Sequence, residues 1–278
     1  MARPLTCLAV LALLAGCQEQ EAPSAEADPT TAPLPTGDLT PSNDAARQPA
    51  VDPDATGRNE KIDNGIYQFA YSYPDKAARY PTLREWLDGR LEKRRSELDR
   101  AARQDKADAE KDGFPYRPHS SETEWKVVTD LPGWLSLSAE TYDYMGGAHG
   151  MTNFDTLLWD KAAGKVREPT ELFISSAALR DAIQKPFCDA LDRERAKRRG
   201  GPVERDNGDS FNACIDPLES VVILGSGSGS GFDRIGVLVA PYSAGAYAEG
   251  SYEITLPVSP DVIRAAKPEF RETFAAGR

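Results

Sequence analysis

Ile66-Tyr67-Gln68-Phe69-Ala70-Tyr71-Ser72-Tyr73 sets large apolar or aromatic side chains alternately with small or polar ones and stops at Pro74. A period of two over this length predicts a strand with one buried face. Pro81 then opens a helix, where its fixed φ and missing N–H cost nothing. Leu83, Trp86, Leu87, Leu91 and Leu98 fall on one helical stripe, and Arg, Lys, Glu and Asp fill the other faces. The helix is expected to run to about Asp112 and to end at Gly113, a residue free to take the left-handed conformation that closes helices. Its second half alternates charge sign, the pattern of a solvated face.

Working outward, strands are predicted over Thr123 to Thr129, Trp134 to Tyr144 and Met151 to Asp160. Pro132-Gly133 and Gly146-Gly147 separate them, and a turn over residues 160–164 leads to a short strand ending at Val166. Short connections between successive strands imply an antiparallel meander. A second helix is expected from about Ser175 to Arg199, with Ile183, Phe187 and Leu191 as its apolar stripe and Pro186 as a kink. The polar stretch Gly200 to Asp209 reads as a loop. Strands return over Ser220 to Leu224, Phe232 to Ala240 and Ser251 to Pro257, and a short helix near Asp261 to Lys267 follows. The order β-α-βββ-α-βββ places the chain in the α+β class, antiparallel sheets with two main helices packed on them. Two halves are expected, 59–166 and 167–278.

The N-terminus reads as an address. Arg3 precedes an uncharged run from Pro4 to Gly16 that fits a secretory signal and is too short to span a bilayer. Leu14-Ala15-Gly16-Cys17 resembles the lipobox of bacterial lipoproteins. That resemblance implies cleavage after residue 16 and acylation of Cys17, with Gln18 favouring the outer membrane over the inner one; the rival is an ordinary secretory signal. Each buried methylene adds about 0.8 kcal/mol, so several acyl chains hold a protein firmly on a bilayer. Residues 17–58 read as the lipidated cysteine and a disordered acidic linker rich in Pro, Ala and Thr, which lacks the apolar content to offset its ordering entropy.

The chain carries 33 Lys and Arg against 44 Asp and Glu, a net charge of −11. Eight of those acids, and one compensating arginine, lie between Gln18 and Asp54, which leaves about −5 for the folded part. This balance speaks against a nucleic-acid partner, since phosphate binding needs a basic surface. Apart from Cys7 in the signal and Cys17, two cysteines remain, Cys188 and Cys214. In an oxidising compartment an even remainder reads as one disulfide, the alternative being two buried thiols.

Tyr142-Asp143-Tyr144-Met145-Gly146-Gly147-Ala148-His149-Gly150, followed by an alternating strand, the turn at Asp160 to Lys165 and Glu171-Leu172-Phe173, resembles the signature of the periplasmic and extracellular domains related to RsiV and PdaC. Ala240-Pro241-Tyr242-Ser243-Ala244-Gly245 and the stretch Gly250 to Pro257 are similar to the second half of that family. The resemblance spans about residues 62–266 and implies an envelope domain akin to a lysozyme-sensing receptor or to the companion domain of a peptidoglycan deacetylase. The sigma-binding region of the one and the deacetylase domain of the other have no counterpart here, so neither activity carries over.

The catalytic inventory is thin. His119 and His149 are the two histidines, thirty residues apart, and the close His pairs of zincins and metal-dependent deacetylases are absent. A site of His149 with Asp143 and Asp155 is the one metal arrangement worth naming, and no metal or other cofactor is expected. Gly225-Ser226-Gly227-Ser228-Gly229-Ser230-Gly231 lacks the Lys-Ser/Thr of a phosphate loop and leads into a strand, so it reads as a flexible hairpin loop. His149 is open to two roles, an acid–base or ligand-contacting group or a fastener for a hairpin whose Gly146-Gly147 permits positive φ. Tyr142, Tyr144, Trp159, Tyr242, Tyr247 and Tyr252 are candidates for a stacking face, although aromatics in strands are commonly core.

Two function classes follow. One is a non-enzymatic, lipid-anchored binding protein of the cell envelope for a lysozyme-like protein or peptidoglycan, with Tyr142, Tyr144, Gly146, Gly147, His149, Tyr242 and Tyr247 as binding candidates. The other is a peptidoglycan-acting hydrolase with His149 as its base.

Overall fold

A computed structural model describes residues 50–205 and 208–277. The expected signal segment, Cys17 and the linker up to residue 49 lie outside the described residues. The described residues make up one compact unit.

The first sheet has six strands in sequence order: β1 (Arg58–Asp63), β2 (Tyr67–Tyr73), β3 (His119–Asp130), β4 (Trp134–Tyr144), β5 (Met151–Asp160) and β6 (Lys165–Arg167). The alternation that predicts β2 is realised directly, with Tyr67, Phe69, Tyr71 and Tyr73 buried. A short helix α1 (Asp75–Ala78) leads into α2 (Pro81–Asp112), which ends at Gly113 with φ 76°. Leu83, Leu87, Leu91 and Leu98 are buried on its sheet-facing side. Trp86 is partly buried and meets Trp125 of β3 edge-on at 5.9 Å, with the Arg90 guanidinium over its ring at 4.7 Å. Trp125 Nε1 donates to the Tyr71 hydroxyl at 2.8 Å. Because α2 carries the chain back along the sheet, β2 and β3 pair parallel, while every other pair in this sheet is antiparallel.

β1 is absent from the sequence-based order, since Ile62 is its one large apolar residue. It is held by register with β2 and by charge: Arg58 pairs with Asp88 of α2, and Glu60 with Arg95. The body also takes in residues before β1. Asp52 N–H donates to the Arg79 carbonyl at 2.7 Å, and Ala55 packs on the core.

The second sheet is antiparallel, β7 (Val221–Gly225), β8 (Arg234–Val239) and β9 (Tyr252–Pro257). Helix α3 (Ser176–Arg199) packs on it, capped by the Ser175 hydroxyl accepting from Ala178 N–H at 3.1 Å, with Pro186 inside the helix. α4 (Pro260–Ala265) and a 3-10 segment over Pro268–Thr273 complete the layer. Leu179, Ile183, Phe187 and Leu191 of α3 join Val237, Val239, Tyr252 and Ile254 in one core. The architecture is α+β with two sheets, as expected.

The two cores share strands. Leu135, Leu137, Leu157 and Trp159 face α2, whereas Trp134 and Leu158, from the same strands, sit in the core of the second sheet. Strand alternation thus sends neighbouring residues of β4 and β5 into opposite cores. Cys188 of α3 and Cys214 stand at disulfide distance, with Cα atoms 5.4 Å apart at a sequence separation of 26.

Candidate functional site

The face of the first sheet turned away from α2 carries Gln68 and Ala70 of β2, Ser120, Glu122, Glu124 and Lys126 of β3, and Tyr142 and Glu140 of β4. At the Asp63 end this face stays open. A groove of about 590 Å³ lies there, lined among others by Lys61, Asp63, Gln68, Ser120, Glu122 and Tyr142. Carboxylates dominate the rest of the row. Glu124 stands directly across from Glu140, and Lys126 bonds Glu124 at 2.9 Å. Glu124, with Glu140 and Glu253 further off, holds the Lys126 ammonium above its ordinary value against a small cost of burial.

Beside the groove, the hairpin between β4 and β5 meets the loop between β8 and β9. His149 stacks on Tyr247, ring centroids 3.8 Å apart and planes 20° apart. Tyr242 stands 6.2 Å from His149 and 5.5 Å from Tyr247. Gly150 ties the cluster together. Its carbonyl accepts from the Tyr247 hydroxyl and from His149 Nδ1, both at 2.9 Å, and its N–H donates to the Tyr142 hydroxyl oxygen at 3.1 Å. His149 Nε2 faces the Tyr242 hydroxyl at 3.4 Å. A Cβ on Gly150 would overlap the tip of the Tyr142 ring, so a side chain there requires that ring to move. Tyr142 and Tyr242 are 40% and 46% exposed, and His149 is exposed as well. Tyr242 has φ 70°, the one non-glycine residue with positive φ among the described residues. A bulky residue in that region costs about 1–3 kcal/mol, and such strain gathers at functional sites.

The loop bearing Tyr242 and Tyr247 is braced by the end of α3. Arg195 is fully buried, with Nε donating to the Ala244 carbonyl at 2.9 Å and Nη1 to Asp192 at 3.0 Å and the Asn212 carbonyl at 3.2 Å. Burial pushes its guanidinium down from the ordinary arginine value, countered by Asp192. Arg199 pairs with Glu249 and bonds the Asn212 side chain. Burial opposes the charge on Glu249, but the Tyr252 hydroxyl, Arg199 and the Ala246 amide outweigh it and hold the carboxyl below its usual range.

Of the residues singled out in sequence, Tyr142, His149, Tyr242 and Tyr247 meet across more than ninety residues of chain. Gly146 takes φ 81° in the hairpin, and Gly147 offers its carbonyl to Arg117 at 3.5 Å. Tyr144, opposite Ser120, is half-buried and takes no part in these ring contacts. Trp159 and Tyr252 are core residues, each 1% exposed. Gly150 and the groove residues Gln68, Ser120 and Glu122 escape a reading based on residue types; the polar alternation of β3 is the signal that marks Ser120 and Glu122.

The aspartates near His149 serve structure. Asp143 takes a two-pronged bond from Arg94 at 2.9 and 3.0 Å, and Asp155 pairs with Arg90, both on the helix side of the sheet. Among the described residues no three His, Cys, Asp or Glu side chains converge as a metal site. His119 is buried against Asp105 of α2, Nε2 to carboxylate 3.0 Å. The Gly-Ser run is ordered by a carboxylate of its own chain, as Gly227 and Ser228 N–H groups donate to Asp233 at 2.8 and 2.9 Å.

Residues 60–152 match the family model described as Deacetylase PdaC. Nothing among curated proteins matches. Solved structures that are similar include a DUF3298 family member from Bacteroides fragilis, 17% identical with a TM-score of 0.45, covering 76% of this chain and 92% of that one. A DUF3298 family protein from Pseudomonas aeruginosa is 16% identical with a TM-score of 0.44, covering 81% and 98%. The matched residues run from within β1 to the first residues of β5 and include the hairpin that bears His149 and Gly150.

Proposed function

We propose that this chain is a non-enzymatic binding protein of the cell envelope, anchored at the outer membrane through acylated Cys17, that captures peptidoglycan glycan on its His149–Tyr242–Tyr247 surface. What supports the reading is the ring cluster, with His149 and Tyr242 exposed and Tyr247 half-buried, joined through Gly150 to Tyr142, which lines an open groove carrying carboxylate, amide and hydroxyl groups. Rings offer their faces to the apolar side of a sugar, and the groove offers hydrogen-bond partners to its hydroxyls. A second reading, capture of a lysozyme-like basic protein, draws on the carboxylate row Glu122, Glu124, Glu140 and Glu253 opposed by Lys126. The hydrolase reading has less support. His149 Nδ1 is committed to a backbone carbonyl rather than to an orienting carboxylate, the arrangement that activates a histidine base.

Purified sacculi and immobilised lysozyme, each challenged with the wild-type chain, Tyr242→Ala and Tyr247→Ala, separate these readings. Sacculus capture weakened about tenfold by either variant, a loss of about 1.4 kcal/mol, supports the glycan surface. Capture by lysozyme alone selects the second reading, and glycan turnover that vanishes in His149→Ala reinstates the hydrolase. Labelling with an alkyne fatty acid, lost in Cys17→Ser, tests the anchor.

A further inference from the structure

We infer that the Cys188–Cys214 disulfide, acting through Arg195 and Arg199 as positioning residues, fixes the loop that carries Tyr242 and Tyr247, so that the ring surface is assembled only in the oxidised protein. The inference rests on the binding reading for its functional meaning, not for its structural content. Ala244 lies midway between the two tyrosines, and its carbonyl accepts from Arg195 Nε at 2.9 Å and from Arg199 Nη2 at 3.4 Å. The same two arginines hold Asn212, by its main-chain carbonyl and by its side chain, and Arg199 also reaches the Phe211 carbonyl. Asn212 stands two residues from Cys214, which the disulfide bolts to α3 about two helical turns before Arg195.

Residues 200–205 and 208–216 form no helix or strand and contribute little to the core, with Asn212 buried and Ile215 partly buried. Apart from the disulfide, two side chains of α3 secure this segment near Cys214, both on its C-terminal side, with Gln184 donating to the Ile215 carbonyl at 2.9 Å and Arg180 pairing with Asp216 at 2.6 Å. Opening the disulfide leaves the Asn212 carbonyl free to move. A fully buried guanidinium that loses one of its acceptors is costly to keep in place, and the remaining bond to Ala244 shifts with it. The cross-link and the rings are thus joined by two hydrogen-bonded steps. Reduction takes two electrons and two protons from an added dithiol, which closes to its own disulfide and leaves thiols on Cys188 and Cys214.

The test uses the full chain in three forms, oxidised, reduced with dithiothreitol, and Arg199→Gln with the disulfide intact. Amide hydrogen exchange over residues 242–250 is expected to quicken at least tenfold on reduction and several-fold in Arg199→Gln, while amides of β2 to β5 keep their protection. The ring protons of His149, shifted upfield by the Tyr247 face, are expected to return toward free-histidine positions in step. Sacculus capture should fall in parallel. Unchanged exchange and unchanged His149 shifts in a chain with both thiols confirmed free overturn the inference. If reduction unfolds the body, Arg199→Gln decides, and native exchange in that variant overturns it equally. A loop that loosens on reduction in a protein that never captures sacculi sustains the coupling and removes the glycan reading instead.

Discussion

Two positions in the ring cluster are set by backbone geometry rather than by side-chain chemistry. Tyr242 sits at φ 70°, where a Cβ is a liability. Replacing it by Gly and by Ala removes the ring in both cases but relieves the backbone in only one. Tyr242→Gly should therefore unfold at higher denaturant than Tyr242→Ala, by about 1 kcal/mol; an alanine variant equal to or above the glycine variant contradicts the strained assignment. Gly150 is the reverse case, a position where any side chain collides with Tyr142. Gly150→Ala should cost about 1–3 kcal/mol. Tyr142→Ala opens the space, so the two changes together should cost less than their sum, and strict additivity would show that position 150 and the Tyr142 ring do not meet. The sequence marks His149, Tyr142, Tyr242 and Tyr247 as candidates, because a histidine beside two glycines and aromatics near a second glycine-rich turn are unusual company. It does not mark Gly150 as the hub, since what matters there is the absence of a Cβ and two backbone groups, which residue identity alone does not reveal.

Among the elements, α2, α3 and eight of the nine strands are legible from period and punctuation, and β1 is not, because a strand held by register and by ion pairs to Asp88 and Arg95 has no apolar alternation to read. The parallel pairing of β2 and β3 follows from the helix between them once both strands are placed side by side. The Gly-Ser run differs most from its reading as a flexible loop. It wraps the buried Asp233 carboxylate, whose two backbone donors from Gly227 and Ser228 hold the carboxyl below the ordinary aspartate range. Asp233→Ala leaves those amides without an acceptor and should cost about 1–3 kcal/mol. A carboxyl depressed in the folded state adds stability that is complete above its unfolded pKa, about 3.9, and is lost as pH falls through the folded value. Amides of residues 227–229 should thus lose protection in acid, below about pH 4, in the wild-type chain and show no such dependence in Asp233→Ala. A wild-type loop equally protected at neutral pH and at pH 2 would dismiss the carboxylate as its organiser.

At the scale of the whole molecule, the two sheets are built from successive stretches of chain, whereas the two cores interleave in β4 and β5. Trp134 and Leu135 are neighbours in β4 and belong to different hydrophobic clusters, as do Leu157 and Leu158 in β5. Shared strands should make unfolding a single cooperative event. Trp134→Ala, which empties a site between Phe232 and Phe270, should cost about 3–5 kcal/mol and lower the protection of β2 and β8 together; two separable transitions would count against one folding unit. The chain enters this body where Asp52 bonds Arg79 and Gly57 bonds Asp75, at the end of the sheet marked by Tyr73. The histidine hairpin lies past the opposite end, beyond Asp63 and Ser120, about five residues of strand or roughly 17 Å along the sheet. Asp52 and Gly57 thus stand at the heel of the sheet and the tyrosines at its toe, so whatever settles on the rings lies a strand's length away from the residues that lead into β1.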